Sequence, residues 1–323
     1  MPEFGYTMMC EQSPPDALVA DIRRAEEAGF DFAVISDHFQ PWLVEQGHSP
    51  YAWSVLGAAA AVTERIGLMT YVTCPTVRYH PAIVAQKAAT MQILSGGRFR
   101  LGLGAGENLN EHVVGEGWPA VGTRHSMLSE ALDVIAALFD AEDEAVSWHG
   151  DFFDLETARL WDRPEQRVPI GVAVSGEASC ALAGRKADLM IAVEPKAELG
   201  EMFDAAGGAG KGRVGQIAVS YDEDREAALK RAHEQFRWFG LGWKVMADLP
   251  NPDSFDAAAR FVTPEDVAES IPCGPDVAEH VEKIKPFVDA GFTEIALVQI
   301  GGDRQEQFAA WAERELLPAL REL

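Results

Sequence analysis

Short apolar runs alternate with amphipathic stretches along almost the whole chain. Residues 32–36 read FAVIS and residues 295–298 read IALV. Continuous apolar runs of this length are typical of parallel strands, because helices cover such strands on both faces. The phrases EEAGFDFAVIS and VDAGFTEIALVQI repeat one order of helix, glycine and strand near the two ends of the chain. The pattern predicts repeated βα units and therefore a parallel α/β sheet.

Eight such units would close a (β/α)8 TIM barrel, and we treat residues 1–323 as one barrel domain. An open doubly wound sheet is the alternative. Two segments fit no βα unit and are expected to be insertions: 145–161, with a predicted hairpin at VSWHGDFFDLE, and 239–262, a loop region containing Pro and Trp. The predicted strands are Gly5–Cys10, Phe32–Ser36, Ile66–Val72, Arg98–Gly102, Val168–Val174, Leu189–Val193, Val214–Tyr221 and Glu294–Ile300.

The charge of the chain excludes some kinds of partner. The net charge is -24, from 27 basic and 51 acidic side chains. So negative a surface repels nucleic acid and anionic lipid, and no apolar stretch is long enough to cross a bilayer. The four cysteines show no C-x-x-C spacing, which favours neither a zinc site nor a disulfide framework. We expect a cytoplasmic protein that has no metal and acts on a small molecule.

Polar motifs follow three of the predicted strands, where a parallel barrel gathers its active site. The first, SDHFQPW, carries His38, which can accept a proton near neutral pH when a carboxylate orients it. The second, TYVTCPTVRYHP, supplies aromatic and backbone groups that could line a ring-binding wall. The alternative for SDHFQPW is that its histidine is exposed and has no role. The alternative for TYVTCPTVRYHP is that its side chains only pack in the core.

The third motif, GLGAGENLNEH, contains glycines that would let a flat ring approach the backbone, followed by Glu107 as a candidate acid. Its G-x-G-x-G spacing is not that of a dinucleotide-binding turn. A solvated acidic loop is the alternative interpretation. The run Gly207–Arg213 lacks the frame of a phosphate-binding loop and predicts a flexible connector. Lys196, at another strand end, could meet an anionic substrate group or be merely solvated.

Together these segments resemble the luciferase-like superfamily of flavin and deazaflavin barrels. Within it they are most similar to the F420-dependent enzymes related to glucose-6-phosphate dehydrogenase. The resemblance covers nearly the whole chain, with four strand-end motifs in order. The segments that carry it are CEQS, AEEAGFDFAVISDHFQPW, CPTVRYHPAIVAQ, GRFRLGLGAGENLNEHVVG and the closing VDAGF.

The resemblance implies that coenzyme F420 lies in the barrel mouth, with FMN as the alternative cofactor. It implies a non-proline cis peptide at Tyr71–Val72 behind the ring, and a homodimer. His38 would be the base for a substrate hydroxyl, Trp42 would stabilise the intermediate, and Glu107 would be the acid for the ring nitrogen. Asp37 would contact the cofactor or position His38. The remaining cofactor-binding residues would be Gly104, Gly106 and Asn110, and the substrate-binding residues would be Glu11, Trp42 and Lys196.

One departure from the sugar-phosphate enzymes bears on the substrate. They hold the phosphate with several cationic side chains, but only Lys196 matches one of them. Residues Asp266–Ser270, near another expected cation, are acidic (DVAES). This disfavours glucose 6-phosphate and leaves another sugar phosphate or a neutral alcohol. Three hypotheses follow: an F420-dependent dehydrogenase, an FMN-dependent monooxygenase of the same superfamily, and a non-catalytic flavin-binding barrel.

Overall fold

Eight parallel strands close into a barrel in the computed structural model, which describes residues 2–323. The barrel strands are β1 (Glu3–Met8), β2 (Phe32–Ile35), β3 (Gly67–Thr70), β4 (Phe99–Leu103), β7 (Ile170–Ala173), β8 (Leu189–Ala192), β9 (Gly212–Val219) and β10 (Glu294–Gln299). Two further strands, β5 (Val146–His149) and β6 (Asp154–Ala158), form a separate sheet between β4 and β7 in the sequence. The order around the barrel is β1-β10-β9-β8-β7-β4-β3-β2, so β1 pairs with both β2 and β10. The predicted (β/α)8 barrel is confirmed, and the open doubly wound sheet is wrong.

Helices connect the strands on the outside of the barrel. They are α1 (Pro15–Ala28), α2 (Ala52–Val62), α3 (Pro81–Leu94), α4 (Asn108–Glu111), α5 (Val121–Asp140), α6 (Glu177–Lys186), α7 (Ala197–Phe203), α8 (Arg225–Phe236), α9 (Trp243–Met246), α10 (Pro252–Ala259), α11 (Pro264–Ser270), α12 (Val277–Asp289), α13 (Gln305–Trp311) and α14 (Leu317–Leu320). Among residues 2–323, no helix combines the length and apolar character needed to cross a membrane.

Alternation along the strands separates two layers of core. In β2, Phe32 and Val34 belong to a small cluster with Met69 of β3 and Ile191 of β8. Their neighbours Ala33 and Ile35 belong instead to the large cluster shared with the helices. Because successive strand residues point to opposite faces, the small cluster fills the barrel and the large one seals the helices against it. Both faces are buried, which is why the strands are continuous apolar runs.

Several element ends differ from the predicted ones. The first strand spans Glu3–Met8 rather than Gly5–Cys10, since Glu3 pairs with Glu294 while Cys10–Gln12 form a 3-10 turn. The helix expected over 303–323 is interrupted by a π-helical turn at Ala312–Leu316. Periodicity does not register a single extra residue in a helical turn, so the interruption is invisible in the sequence.

The two expected insertions have different structures. In 145–161, β5 pairs antiparallel with β6 and forms the expected hairpin. The loop predicted for 239–262 is wrong, because α9 and α10 lie in it. Asn251 caps α10 by accepting a hydrogen bond from the Ser254 amide, Pro252 occupies the first turn, and Phe255 is buried. The Pro is thus a helix start rather than a loop signal.

The glycine-rich connector 207–213 is anchored by its lysine. A π-helical turn at Asp204–Gly208 leads through it into β9. Lys211 Nζ donates hydrogen bonds to the carbonyl oxygens of Gly184, at 2.7 Å, and Ala187, at 2.8 Å. These carbonyls belong to the end of α6, where a cation also meets the negative end of the helix dipole. The lysine therefore has a structural partner in the fold.

Glycines at the end of β4 allow two strands to approach closely. A Cβ atom at Gly102 would lie 2.0 Å from the Thr70 carbonyl oxygen, and one at Gly104 would lie 2.6 Å from Val72 Cγ2. Thr70 Oγ1 also donates to the Gly102 carbonyl oxygen, at 2.8 Å, and accepts from the Gly102 amide, at 2.9 Å. The two glycines thus make room for the chain's own β3 segment.

We expect Gly102→Ala to lower stability by about 3 kcal/mol or more, because the added methyl group would force β3 and β4 apart in a packed core. The matched control is Gly57→Ala in α2, where the Cβ would meet nothing within 4 Å. That change should raise stability by up to about 1 kcal/mol through helix propensity. Thermal and urea unfolding midpoints measure both. An unchanged midpoint for Gly102→Ala would contradict the close approach.

Candidate active site

An imidazole held between two carboxylates lies at the rim of the barrel, beyond the ends of β1, β2 and β4. His38 follows β2, Glu11 lies in the turn after β1, and Glu107 follows β4. His38 Nδ1 contacts Glu11 Oε1, and His38 Nε2 lies 3.3 Å from Glu107 Oε1. All three side chains are at most 10% exposed. The predicted base and acid therefore meet at the mouth of the barrel.

Asn110 links Glu107 to the loop that carries His38. Its Nδ2 donates to Glu107 Oε1 at 2.7 Å, while its Oδ1 accepts from the Phe39 amide at 2.7 Å. His38 Nε2 and Glu107 Oε1 lie in direct contact. The side-chain amide of Asn110 draws the carboxylate toward the loop that carries His38.

The charges around His38 shift its titration. Burial disfavours the imidazolium, but the carboxylates of Glu11 and Glu107 outweigh burial and raise the pKa of His38 to about 9. Burial by itself raises the pKa of the Glu11 carboxyl. The charge of His38 and the hydrogen bond from Ser36 Oγ, at 2.7 Å, lower that pKa by more, so the net pKa of Glu11 lies below the usual value. At neutral pH the arrangement therefore holds a protonated imidazole. Glu11, predicted to bind substrate, has both oxygens engaged within the protein.

Trp42 packs edge-on against His38, with ring centroids 5.1 Å apart. Its indole stacks on Trp238 at 4.3 Å and meets Phe255 edge-to-face at 5.1 Å. Trp238 precedes the insertion and Phe255 belongs to α10 within it. Stacked aromatic rings fix each other's orientation. The insertion therefore supports the aromatic side of the site.

Asp37 is buried and bound by protein donors. Its Oδ2 accepts hydrogen bonds from Trp53 Nε1, at 3.0 Å, and Thr73 Oγ1, at 2.7 Å. Its Oδ1 accepts one from the Tyr79 hydroxyl at 3.2 Å. Of the two predicted roles, these contacts favour the positioning of His38 over contact with a cofactor. Asn110, with both of its side-chain atoms bonded within the protein, ties the loops of His38 and Glu107 together.

The remaining predicted cofactor contacts are backbone segments. The Tyr71–Val72 peptide bond is cis, as the resemblance implies, and the Tyr71 hydroxyl donates to the Ala192 carbonyl at 2.9 Å. Gly104 faces Val72, and Gly106 has a φ of 84°. A side chain at Gly106 would be strained by that φ, and its Cβ would lie 2.9 Å from Glu111 Cγ. These glycines have packing reasons of their own.

Lys196 lies between β8 and α7 and is paired with a neighbouring carboxylate. It precedes α7, its side chain is 56% exposed, and its Nζ pairs with Glu194 Oε1 at 2.9 Å. The structure gives it no contact with His38, Glu107 or Trp42 among residues 2–323. In the same described range, no group of histidine, cysteine and carboxylate side chains has the arrangement of a metal site.

Two buried charged residues next to the site, Arg78 and Glu111, were not predicted from the sequence. Arg78 lies between Asp37 and Glu111, and all three side chains are at most 7% exposed. Burial raises the pKa of Glu111 to about 7, although Arg78 and its backbone amide oppose that shift. Arg78 is the one residue of CPTVRYHP that is always charged, but the sequence does not show that it is buried between two carboxyl groups.

Comparisons with known proteins show which family the chain belongs to. The family model described as luciferase-like monooxygenase matches residues 2–294. An F420-dependent glucose-6-phosphate dehydrogenase of Microbacterium testaceum is 36% identical, covering 98% of this chain and 97% of that protein. One of Amycolatopsis mediterranei is also 36% identical and is covered completely.

The solved structures show the same relationship. An F420-dependent secondary alcohol dehydrogenase, solved with an F420–acetone adduct, superimposes with a TM-score of 0.90 at 30% identity and 99% coverage of both chains. A coenzyme F420-dependent tetrahydromethanopterin reductase from Methanopyrus kandleri, at 22% identity and a TM-score of 0.78, shares the fold. The chain therefore belongs to the luciferase-like monooxygenase family, and the relatives described above are named as F420-dependent enzymes.

Proposed function

We propose that the protein is a coenzyme F420-dependent dehydrogenase that transfers hydride between a hydroxyl-bearing substrate and the deazaflavin. The observation that carries the proposal is His38 bound between Glu11 and Glu107 at the barrel mouth, with Trp42 against its edge. Relatives named as F420-dependent dehydrogenases cover nearly the whole chain at 36% identity. The matched monooxygenase structures are at most 21% identical and support the fold alone.

The residues at the mouth fit such a cofactor by their chemistry. When bound, a deazaflavin supplies two-electron hydride chemistry but needs the protein to handle the accompanying protons. His38 and Glu107 are two proton carriers in contact, and Glu11 fixes the imidazole from its other nitrogen. The Thr76 hydroxyl, in the loop after β3, is buried with no protein partner among residues 2–323, so it is free to bond a ligand. The backbone at Tyr71–Val72 and at Gly104 and Gly106 would hold the ring.

His38 and Glu107 can share one proton, whose position decides which residue is the acid and which is the base. A protonated His38 cannot accept a proton from a hydroxyl, so oxidation requires that the imidazole first lose its own. Glu107 Oε1, 3.3 Å from Nε2, is near enough to take that proton directly. The transfer yields a neutral imidazole beside a protonated carboxyl, which is the base and acid pair required. In the opposite direction the imidazolium is the proton donor.

Charge favours an alcohol over a sugar phosphate as the substrate. A phosphate would have to compete with Glu194 for Lys196, the one cation that matches the sugar-phosphate enzymes. It would also approach the buried carboxyl groups of Glu11 and Glu107, whose cationic partner is already bound. A neutral hydroxyl group neither has to compete with Glu194 nor is repelled by the carboxyl groups of Glu11 and Glu107. We also propose a homodimer in the cytoplasm, with a small molecule as substrate.

His38→Asn should leave F420 binding within about threefold of wild type and lower F420 reduction by roughly 10²- to 10⁴-fold, the usual contribution of a general base. Fluorescence titration with F420 and FMN measures binding, and F420 absorbance measures turnover with alcohols and sugar phosphates. His149→Asn is the matched control, because that imidazole is 72% exposed on the hairpin. Coupled oxygen consumption with FMN would overturn the proposal in favour of a monooxygenase. Unchanged turnover in His38→Asn would remove His38 from the chemistry, and binding without turnover in wild type would indicate a non-catalytic barrel.

Glu11→Gln should lower the pKa of His38 from about 9, because it removes the larger of the two charges that favour the imidazolium. Carbon-detected NMR of labelled histidine, assigned with His38→Asn, follows the titration without added cofactor. The acid limb of kcat/KM for oxidation should move to lower pH with it. Protonation of His38 also stabilises the folded protein, because the pKa of His38 is about 9 when folded and about 6.5 when unfolded. This stabilisation is complete below a pH of about 6.5 and is lost as the pH rises through about 9. An unshifted titration would mean that Glu11 does not set the imidazole's charge.

A further inference from the structure

Arg78 is a buried cation one loop away from the proposed acid–base pair. Its side chain is 7% exposed and lies between the carboxyl groups of Asp37 and Glu111, both 0% exposed. Nη2 lies 3.4 Å from Asp37 Oδ1, and Nε lies 3.4 Å from Glu111 Oε1. Nothing in the proposed reaction uses this guanidinium directly. Burying a charge is costly unless its partners are well placed, so the position calls for a reason.

The contacts of Arg78 reach the two segments that carry the proposed proton carriers. Nη2 also donates to the backbone carbonyl of Asp37, the residue directly before His38. The Arg78 amide donates to Glu111 Oε2 at 2.9 Å. Glu111 ends α4, the short helix that starts directly after Glu107. Arg78, carried by the loop after β3, therefore bridges the loop after β2 and the loop after β4.

Asn110 makes a second link between the same two segments. Its Oδ1 accepts from the amides of Phe39, at 2.7 Å, and Gln40, at 2.9 Å, while its Nδ2 donates to Glu107. The two segments that carry His38 and Glu107 are therefore connected twice, once through Arg78 and once through Asn110. Two links hold the contact between His38 and Glu107 at 3.3 Å more rigidly than either alone, because each removes a rotation that the other leaves free.

The positive charge of Arg78 also affects the protonation of His38. The cluster around the site contains four buried carboxyl groups, those of Glu11, Asp37, Glu107 and Glu111. Burial and Arg78 both work against protonation of His38, while Glu11 and Glu107 favour it. Arg78 therefore keeps the imidazole closer to its neutral form than the carboxylates alone would allow. It also opposes the protonation of Glu111 that burial promotes.

We propose that Arg78 is a positioning residue for the hydride transfer, acting through Asp37 and Glu111 to hold His38 and Glu107 at their mutual distance. The inference rests on the proposed function. Arginine suits the position because its planar fork reaches two carboxylates and a carbonyl at once, whereas a lysine is a single point charge. A lysine would therefore keep the charge and lose one of the two connections.

The test compares Arg78→Lys and Arg78→Gln with Arg213→Gln. Arg213 also pairs with a carboxylate, Asp204 at 2.7 Å, but it lies near the start of β9, at the opposite end of the barrel. We expect both Arg78 variants to bind F420 within about threefold of wild type and to lose roughly 10²-fold in kcat, the usual cost of a misplaced catalytic group. Only Arg78→Gln should move the acid limb of kcat/KM to higher pH. Arg213→Gln should change neither.

The outcomes separate the two proposals. If folded Arg78→Lys keeps the wild-type kcat, the positioning role is overturned, even where Arg78→Gln does not fold. If Arg78→Gln folds with a lower melting temperature but unchanged kcat and pH profile, the residue is only structural and the proposal is again overturned. The NMR titration of His38 needs no cofactor, so an unmoved midpoint in Arg78→Gln contradicts the electrostatic part by itself. If the wild-type protein neither binds nor reduces F420, the proposed function itself is contradicted.

Discussion

Compensation of buried negative charge organises the mouth of this barrel. Four carboxyl groups lose their water there, and each would cost several kcal/mol if it lacked partners. Glu11 and Glu107 share His38, Asp37 binds neutral donors as well as Arg78, and Glu111 binds Arg78. Removing any one partner would leave a neighbouring charge exposed to the full cost of burial. The geometry at His38 is therefore a property of the whole network rather than of one pair.

The closed barrel makes such a network possible. Residues far apart in sequence reach one another only because β1, β2, β3 and β4 are neighbours whose carboxyl ends meet at one rim. The close approach at Gly102 fixes β3 against β4 at that rim. The aromatic cluster of Trp42, Trp238 and Phe255 then couples the site to α10, a helix outside the βα repeat. The repeated βα units form the rim of the barrel, and the insertion at 239–262 packs against the aromatic side of the site.

The sequence predicts the barrel well because its strands are buried on both faces and stay apolar throughout. It also predicts which residues stand at strand ends, and His38, Glu107, Glu11 and Trp42 do come together. It does not show which polar atoms the protein satisfies internally. Asp37 and Asn110 were therefore expected to bind a cofactor, and their bonds to neighbouring loops became visible only with coordinates. Arg78 and Glu111 were missed for the same reason, because a charged letter in a sequence carries no sign of burial.

Direct contact between His38 and Glu107 has a consequence for how the site handles protons. Moving the proton from Nε2 to Oε1 changes no net charge within the cluster, because an ion pair becomes a neutral pair. Two groups on opposite edges of a ring would instead exchange protons only through substrate, cofactor or water. A contacting pair can reset itself between turnovers inside a dry site. In the proposed reaction, a longer contact between His38 and Glu107 would leave the proton on His38, where Glu11 stabilises it, and the imidazole would not be available as a base.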